Sequence, residues 1–364
     1  MRVLIAGGGV IGTSIAYFLA RRGIKPIVVE RTGIANAASG KSGGFLAFDW
    51  CDGMPLQALA RRSFALHAKL AEELGRDWGF RRMNTFSGHA HERSRSEPTD
   101  NPALPWLSGG VAIDRRLGTG ATTAQVNPAE FTKAMMRAAE ARGAELRIGA
   151  ITGMVRSDDG TRLRGVKVDG EAIAIDAAVI AMGPWSIFAA KWLPLPRVFG
   201  LKGHSLIFNT GTTVPGDALF LEYQEASGAL LTPEVYPRTN GTTFISAIST
   251  ESPVPLDPAD VEPDPGVHER IEALSRKLSP AFQSSSIIAR QACYRPVTQD
   301  GLPLIGKVPG VEGAYVATGH SVWGILNAPA TGEAMAELIA DDAAKSVDLS
   351  PFDPKRLRAV EAIR

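Results

Sequence analysis

The residues that most restrict the fold stand at the very start of the chain, where Val3-Leu4-Ile5-Ala6 runs straight into Gly7-Gly8-Gly9-Val10-Ile11-Gly12. Four apolar residues with no polar alternation read as a strand buried on both faces. The glycines after it have Gly-x-Gly-x-x-Gly spacing. An alanine-rich amphipathic stretch from Val10 to Arg22 reads as a helix, with Gly23 as its left-handed stop. A second strand, Pro26-Ile27-Val28-Val29-Glu30, ends in a carboxylate about twenty residues past the turn. Gly7 permits the tight turn, Gly9 lets backbone approach a pyrophosphate, and Gly12 lets the helix lie close on the strand. The helix N-terminus at Val10 and Ile11 offers free N–H groups and a partial positive charge to phosphate. Glu30 is placed to accept hydrogen bonds from an adenosine ribose, and Arg31 adjoins it. Strand, turn, helix, strand and acid in this order predict a dinucleotide-binding unit.

A chain of 364 residues can hold two domains with large cores. Hydrophobic content of 45% and charged content of 21% are those of a globular protein in water. No apolar run reaches the roughly eighteen residues of a membrane span, and with the first strand beginning at residue 3 no signal or transit peptide is expected. A formal charge of +1 provides no basic field for nucleic acid. Two cysteines, Cys51 and Cys293, exclude a disulfide framework and a cysteine-rich metal site. His89 and His91 read as solvated loop residues without a third ligand, so no metal is expected. The default setting for such a chain is the reducing cytoplasm.

Further along, Ala35 to Gly44 is a loop of small residues, including Ser39, Ser42, Gly43 and Gly44, that can pass flat beneath a large ring or wrap a diphosphate. Helices are expected from Leu56 to Leu74, from Ala129 to Arg142 after Asn127-Pro128, from about Val267 to Leu278 and from about Ala328. Asn84 to Thr123 reads as irregular loops and short strands. Ala177 to Ile180 is a second buried strand, turning at Gly183 before Trp185. Between Leu201 and Ser249 the pattern becomes that of antiparallel strands, at Gly203–Phe208, Ala218–Tyr223, Leu230–Tyr236 and Thr243–Ile248. The expected fold is therefore α/β. Residues 1–48, 125–200 and 296–364 form a discontinuous Rossmann-like domain of the glutathione-reductase type. Residues 49–124 and 201–295 form an inserted α+β domain on a largely antiparallel sheet.

Several segments together resemble the D-amino-acid oxidase, glycine oxidase and sarcosine oxidase family of FAD-dependent oxidoreductases. They are the opening turn with Glu30, the loop at Ser39–Gly44 and the Val179–Trp185 strand and turn. More specific are the run from Arg295-Pro296-Val297-Thr298 to Gly306, and Gly319-His320-Ser321-Val322-Trp323-Gly324-Ile325 with its continuation to Gly332. The resemblance spans nearly the whole chain. It implies FAD, a substrate domain over the flavin's re face, and oxidation of a C–N bond beside a carboxylate. Cofactor contacts would then extend to Gly183, Trp185, Cys293, Gly319, His320, Val322, Trp323, Gly324 and Ile325. The second glycine turn opens a helix whose positive end would meet the flavin N1–C2=O locus, where negative charge gathers on reduction.

Arg295 matches the family's carboxylate-binding arginine, a planar two-point fork that stays charged when partly buried. Three residues before Pro237, where relatives often carry a substrate-binding tyrosine, this chain has Glu234. Facing the pocket, it would suit a substrate ammonium or a second cationic group, and strand periodicity would turn Tyr236 and Thr232 the same way. The alternative is an outward, solvated Glu234. Cys293 stands seven residues before Asp300, the spacing at which sarcosine oxidases bind the flavin 8α-methyl covalently; the alternative is a buried small apolar residue. The sarcosine-oxidase lysine that activates oxygen falls near Ile245, while Lys41 and Lys202 lie in segments expected to border the flavin. His204 is a weaker pocket candidate, and His320 would touch the flavin through backbone. The expected reaction takes a small amine or amino acid to an imine by hydride transfer, with O2 or another electron acceptor. Two alternatives stay open: 2-hydroxy-acid oxidation with His204 or His320 as base, and a flavin-fold trafficking or scaffold protein without turnover.

Overall fold

The structure, a computed structural model, describes residues 1–75, 77–93 and 104–360. The domain segments expected above also take in residues 76, 94–103 and 361–364, which lie outside the described residues.

Its first layer is a six-stranded sheet in the order Leu304–Lys307, Ala314–Thr318, Ala177–Ile180, Val3–Ala6, Ile27–Glu30, Glu145–Ile148. All neighbours are parallel except the first pair. Val3 to Ala6 are fully buried because both faces are covered. On one side lie the helices Val10–Arg21, Gln57–Leu74, Pro128–Glu140 and Gly324–Asp341. On the other lies a three-stranded antiparallel sheet, Ile151–Arg156, Leu163–Val168 and Glu171–Ala174. Glycine is required at the opening turn on steric grounds. A Cβ on Gly7, at φ +115°, would sit 2.4 Å from the Ala181 carbonyl oxygen, and one on Gly12 would sit 2.0 Å from that of Gly7. The Pro128–Glu140 helix starts where Asn127 caps the Glu130 N–H at 3.4 Å. The Gln57–Leu74 helix, within a segment expected to go with the substrate domain, shares the core of the nucleotide sheet.

The last long helix begins at Gly324, not near Ala328, and carries Pro329 inside it. Proline has no N–H, so the carbonyl one turn earlier loses its helical partner. The neighbouring helix makes good the loss. Ser63 Oγ accepts from the Ala330 N–H at 3.0 Å, and His67 Nε2 donates to the carbonyls of Ile325 and Leu326 at 2.9 and 3.2 Å.

The second layer is an eight-stranded sheet in the order Ile287–Thr298, Val198–Asn209, Thr242–Glu251, Glu234–Pro237, Ala218–Gln224, Thr85–His91, Val111–Gly118, with Leu230–Leu231 beside Ala218–Gln224. Only Thr85–His91 and Ala218–Gln224 run parallel. The helix Val267–Leu278 packs on one face. Two expectations are corrected here. The stretch after Asn84, expected as irregular loops and short strands, supplies two longer regular strands of this sheet, Thr85–His91 and Val111–Gly118; its residues 94–103 lie outside the described residues. The strand expected over Leu230–Tyr236 is interrupted at Thr232-Pro233, since proline cannot donate to a ladder. His89 and His91 sit exposed on a strand rather than in a loop, with His89 Nδ1 2.8 Å from Asp114. No group of potential metal ligands occurs among the described residues, and no helix among them is long and apolar enough to cross a membrane.

Candidate functional site

A cavity of about 450 Å³ opens at the carboxyl ends of all five parallel strands, with the eight-stranded sheet as its far wall. Such a position is where open α/β sheets bind ligands. Glu30, Arg31 and Gly149–Ile151 line one end; Gly7, Gly9, Val10, Ile11, Ser39, Ser42 and Gly43 line the middle. The other end is lined by Gly183, Trp185, His204, Glu234, Cys293, Arg295, His320, Val322, Gly324 and Ile325. The chain thus brings together residues 7 to 325 along one elongated site.

Gly12, Gly44, Gly319, Trp323 and Tyr236, singled out in the sequence, do not line it. Gly12 lies under the turn. Gly44, at φ +86°, would put a Cβ 2.0 Å from the Val126 carbonyl oxygen, and Gly319, at φ +80°, would put one 2.6 Å from Thr298. Trp323 packs on the helical core. Tyr236, expected to face the cavity, is instead buried, its ring stacked between Phe45 and Phe244 at 5.7 and 5.8 Å. A Cβ on Gly43 would fall 2.3 Å from that ring, so the small-residue loop lies directly on the tyrosine.

An extended dinucleotide such as FAD fits the donor set. Glu30 offers a carboxylate at one end, though it already accepts from the N–H groups of Gly8 and Thr32 at 2.7 and 3.0 Å. Ser39 Oγ accepts from the Val10 N–H at 2.9 Å, tying the loop to the helix start. At the far end lies the N-terminus of Gly324–Asp341, and along the wall Ser42 Oγ and His320 Nδ1 are buried without partners among the described residues. The proline-rich connection after Ser252 closes the rim. Arg31 meets Asp257 at 3.0 Å, and the Trp185 indole donates to the Pro255 carbonyl at 2.9 Å.

Charge gathers at the end away from Glu30. Arg295 Nη2 donates to Ser249 Oγ at 2.5 Å, and its Nε is buried with no partner among the described residues. Glu234 accepts from the Tyr236 hydroxyl at 2.8 Å. Burial raises the Glu234 carboxyl above its ordinary value; the Tyr236 hydrogen bond and Arg295 oppose the rise. Burial pushes the Cys293 thiol up to about 11 against the pull of Lys41 and Arg295. Lys41 lines the cavity and donates to the Ala292 carbonyl at 3.2 Å. Lys202 does not reach it: its ammonium is held by Asp264 at 2.6 Å and by the Glu262 carbonyl at 3.1 Å. Ile245 faces the opposite core. Sequence reasoning missed Ser246 and Ser249, whose small side chains form the wall between Glu234 and Arg295; they stand three residues apart, and strand period two puts such residues on opposite faces, but a bulge between them, seen only in the pairing, brings both to the cavity.

Both histidines touch the cavity, but neither is set as a base. His204 Nε2 accepts from the Asp264 N–H at 3.0 Å, which leaves the ring proton on Nδ1. His320 bonds Thr331 Oγ1 through Nε2 at 3.1 Å, and burial lowers its pKa to about 3.

The sequence profile described as FAD dependent oxidoreductase matches residues 2–338. A putative oxidoreductase of Schizosaccharomyces pombe is 29% identical over 379 residues, 97% of each chain. A glycine oxidase of Bacillus licheniformis is 28% identical over 381 residues, 98% of each chain. The crystal structure of glycine oxidase from Geobacillus kaustophilus superposes with a TM-score of 0.79 at 25% identity, covering 98% of this chain and 99% of the other.

Proposed function

This chain belongs to the family of FAD-dependent oxidoreductases, and from that premise we propose that it oxidises the C–N bond of an amino acid or related amine carboxylate to an imine, which water then hydrolyses. Relatives named glycine oxidase support the substrate class. One observation on this chain carries it: Arg295 stands on the cavity wall with a hydroxyl as its partner and a buried Nε still free to donate. Its fork takes the substrate carboxylate. Glu234, oriented by Tyr236, faces the same space and holds the substrate nitrogen, drawing a proton from the ammonium so that the amine is neutral when hydride leaves. When bound, FAD accepts that hydride. Orientation of the Cα–H is the remaining requirement, and the two charged side chains provide it.

A 2-hydroxy acid would need a base beside its carbinol; His204 carries its ring proton on Nδ1 and has its Nε2 lone pair taken by the Asp264 N–H, and burial holds the His320 pKa down at about 3, so both are poor bases. Cys293 lines the reacting end, and the finer question is whether it bonds the flavin. A thiol held up at about 11 is a poor nucleophile, and we place the flavin as non-covalent. Lys41, which lines the cavity and reaches the Ala292 carbonyl beside Cys293, is the cation we assign to electron transfer to O2 or another acceptor, in a protein we expect in the cytoplasm. Anaerobic mixing with panels of amino acids, simple amines and 2-hydroxy acids tests the proposal. Bleaching by amino acids alone is expected; bleaching by hydroxy acids, or by none of the three, overturns it.

A further inference from the structure

Behind the wall of the cofactor cavity, side chains lie in parallel layers. The Tyr236 ring sits between Phe45 and Phe244 at interplanar angles of 9° and 12°, Phe220 meets it edge-on at 5.6 Å, and the Arg238 guanidinium lies 5.6 Å over Phe244. A ring packed in this way cannot tilt without displacing its neighbours. One more contact comes from the cofactor loop. A Cβ on Gly43 would fall 2.3 Å from both Cδ2 and Cε2 of Tyr236 and 3.2 Å from Phe244, so the loop lies against the ring at a distance that only glycine allows. Arg238 ties the same loop down, donating from Nη2 to the Ser42 carbonyl at 3.0 Å.

The single polar atom of that ring is aimed at the substrate end of the cavity. Tyr236 Oη donates to Glu234 Oε2 at 2.8 Å. Strand alternation puts the two side chains on one side of Glu234–Pro237, so a fixed ring fixes where the hydroxyl meets the carboxylate. Burial holds the Tyr236 hydroxyl well above its ordinary pKa, which keeps it a donor. Among the described residues no second donor holds the carboxylate. Ser246, opposite Glu234 in the ladder, donates instead to the His204 carbonyl at 2.9 Å. The charged or titratable groups that act on Glu234 are Tyr236 on its own strand and Arg295 from Ile287–Thr298; Phe220 and Ser246, on the strands to either side, are neutral. With one oxygen taken by the phenol, the other is left for the cavity that Glu234 lines.

Building on Glu234 as the group that holds the substrate nitrogen, we propose that Gly43 and Tyr236 are positioning residues for the amine end of the substrate: the cofactor loop seats the ring, the ring directs the phenol, and the phenol sets the Glu234 carboxylate. A side chain at position 43 then acts on Glu234 without touching it, and the amine site shares the geometry of the loop that lines the cofactor cavity.

Infrared pH titration of the FAD-loaded protein follows the C=O stretch of the protonated Glu234 carboxyl, assigned as the band that Glu234→Gln removes. A hydrogen bond donated to a carboxylate favours its ionised form, so Tyr236→Phe should move the Glu234 midpoint up by about one to two pH units. Gly43→Ala should move it the same way by at least about half a unit, and adding it to Tyr236→Phe should move it no further. If Gly43→Ala does not hold FAD, Phe45→Leu, which removes one face of the seat from outside the cavity wall, takes its place with the same expectation. A midpoint within about 0.3 pH unit of wild type in either single variant, or shifts that add in the double variant, overturns the proposal. The acid limb of the pH profile for flavin reduction is measured in parallel. If Glu234→Gln leaves that limb in place, Glu234 is not the base for the amine, and that result is independent of the infrared shifts.

Discussion

Replacing Arg295 by methionine keeps most of the side chain's length and removes the fork. In the wild type the guanidinium is half-buried, tethered through Nη2 to Ser249 Oγ at 2.5 Å, with Nε still able to donate. Loss of a charged hydrogen-bonded pair costs about 2–5 kcal/mol of transition-state binding, part of it the charge left unpaired on the substrate. At tenfold per 1.4 kcal/mol that is roughly 30- to 4,000-fold in the second-order rate constant for flavin reduction. Solvent reaching the open side of the guanidinium screens the pair and moves the expectation toward the lower figure. Removing this cation also removes one of the two influences that hold the Glu234 carboxyl down, so burial drives Glu234 further toward its neutral form. The assay is anaerobic stopped-flow reduction with whichever amino acid bleaches the wild type, at matched flavin content. The loss should appear mainly as weaker apparent substrate binding. A variant with full flavin and a rate constant within about twofold of wild type would refute the carboxylate role. Arg295 would then be a structural cation.

Gly9→Val should yield a folded protein without flavin: the added Cβ meets only Ser39 Oγ, at 3.1 Å, yet branching there keeps phosphate from the backbone; full flavin after purification would contradict the placement. Acid precipitation should leave the protein pellet colourless and the supernatant yellow, and an intact mass heavier than the bare chain by one flavin would show that Cys293 does react. Burial lowers the His67 pKa to about 4 from an ordinary value of 6.5, so the unfolded chain binds a proton that the folded chain refuses between those values. Stability should therefore be fully present above about pH 6.5 and fall as pH drops toward 4, by on the order of 3 kcal/mol from this residue; a thermal melt that is flat across that window would count against it.

How far the sequence reached depended on how local each determinant is. The dinucleotide unit was legible because strand, glycine turn, helix and acid lie within the first thirty residues, and the left-handed dihedral of Gly7 and the approach of Gly12 to the Gly7 carbonyl belong to that stretch. Caps were legible for the same reason, Asn127-Pro128 and Gly23 among them. Distant contacts were not. The early start of the last helix rests on Ser63 and His67, some 260 residues away, which bind the backbone groups that Pro329 disturbs. The sequence left Glu234 facing either the pocket or solvent; it lines the cavity, yet Tyr236, which periodicity would turn the same way, was turned aside by Phe45, Phe244 and Gly43, from other parts of the chain.

The composition and order of the chain by themselves determined an α/β protein with a nucleotide cradle at its N-terminus, since burial pattern and turn sterics act over a few residues. Only the tertiary structure decided which side chains share a cavity. Glu234 and Arg295 meet across Ser246 and Ser249 because four strands pair side by side in one sheet. Hydrogen-bond register and layer packing are set by the whole chain at once, and no short window of sequence contains them.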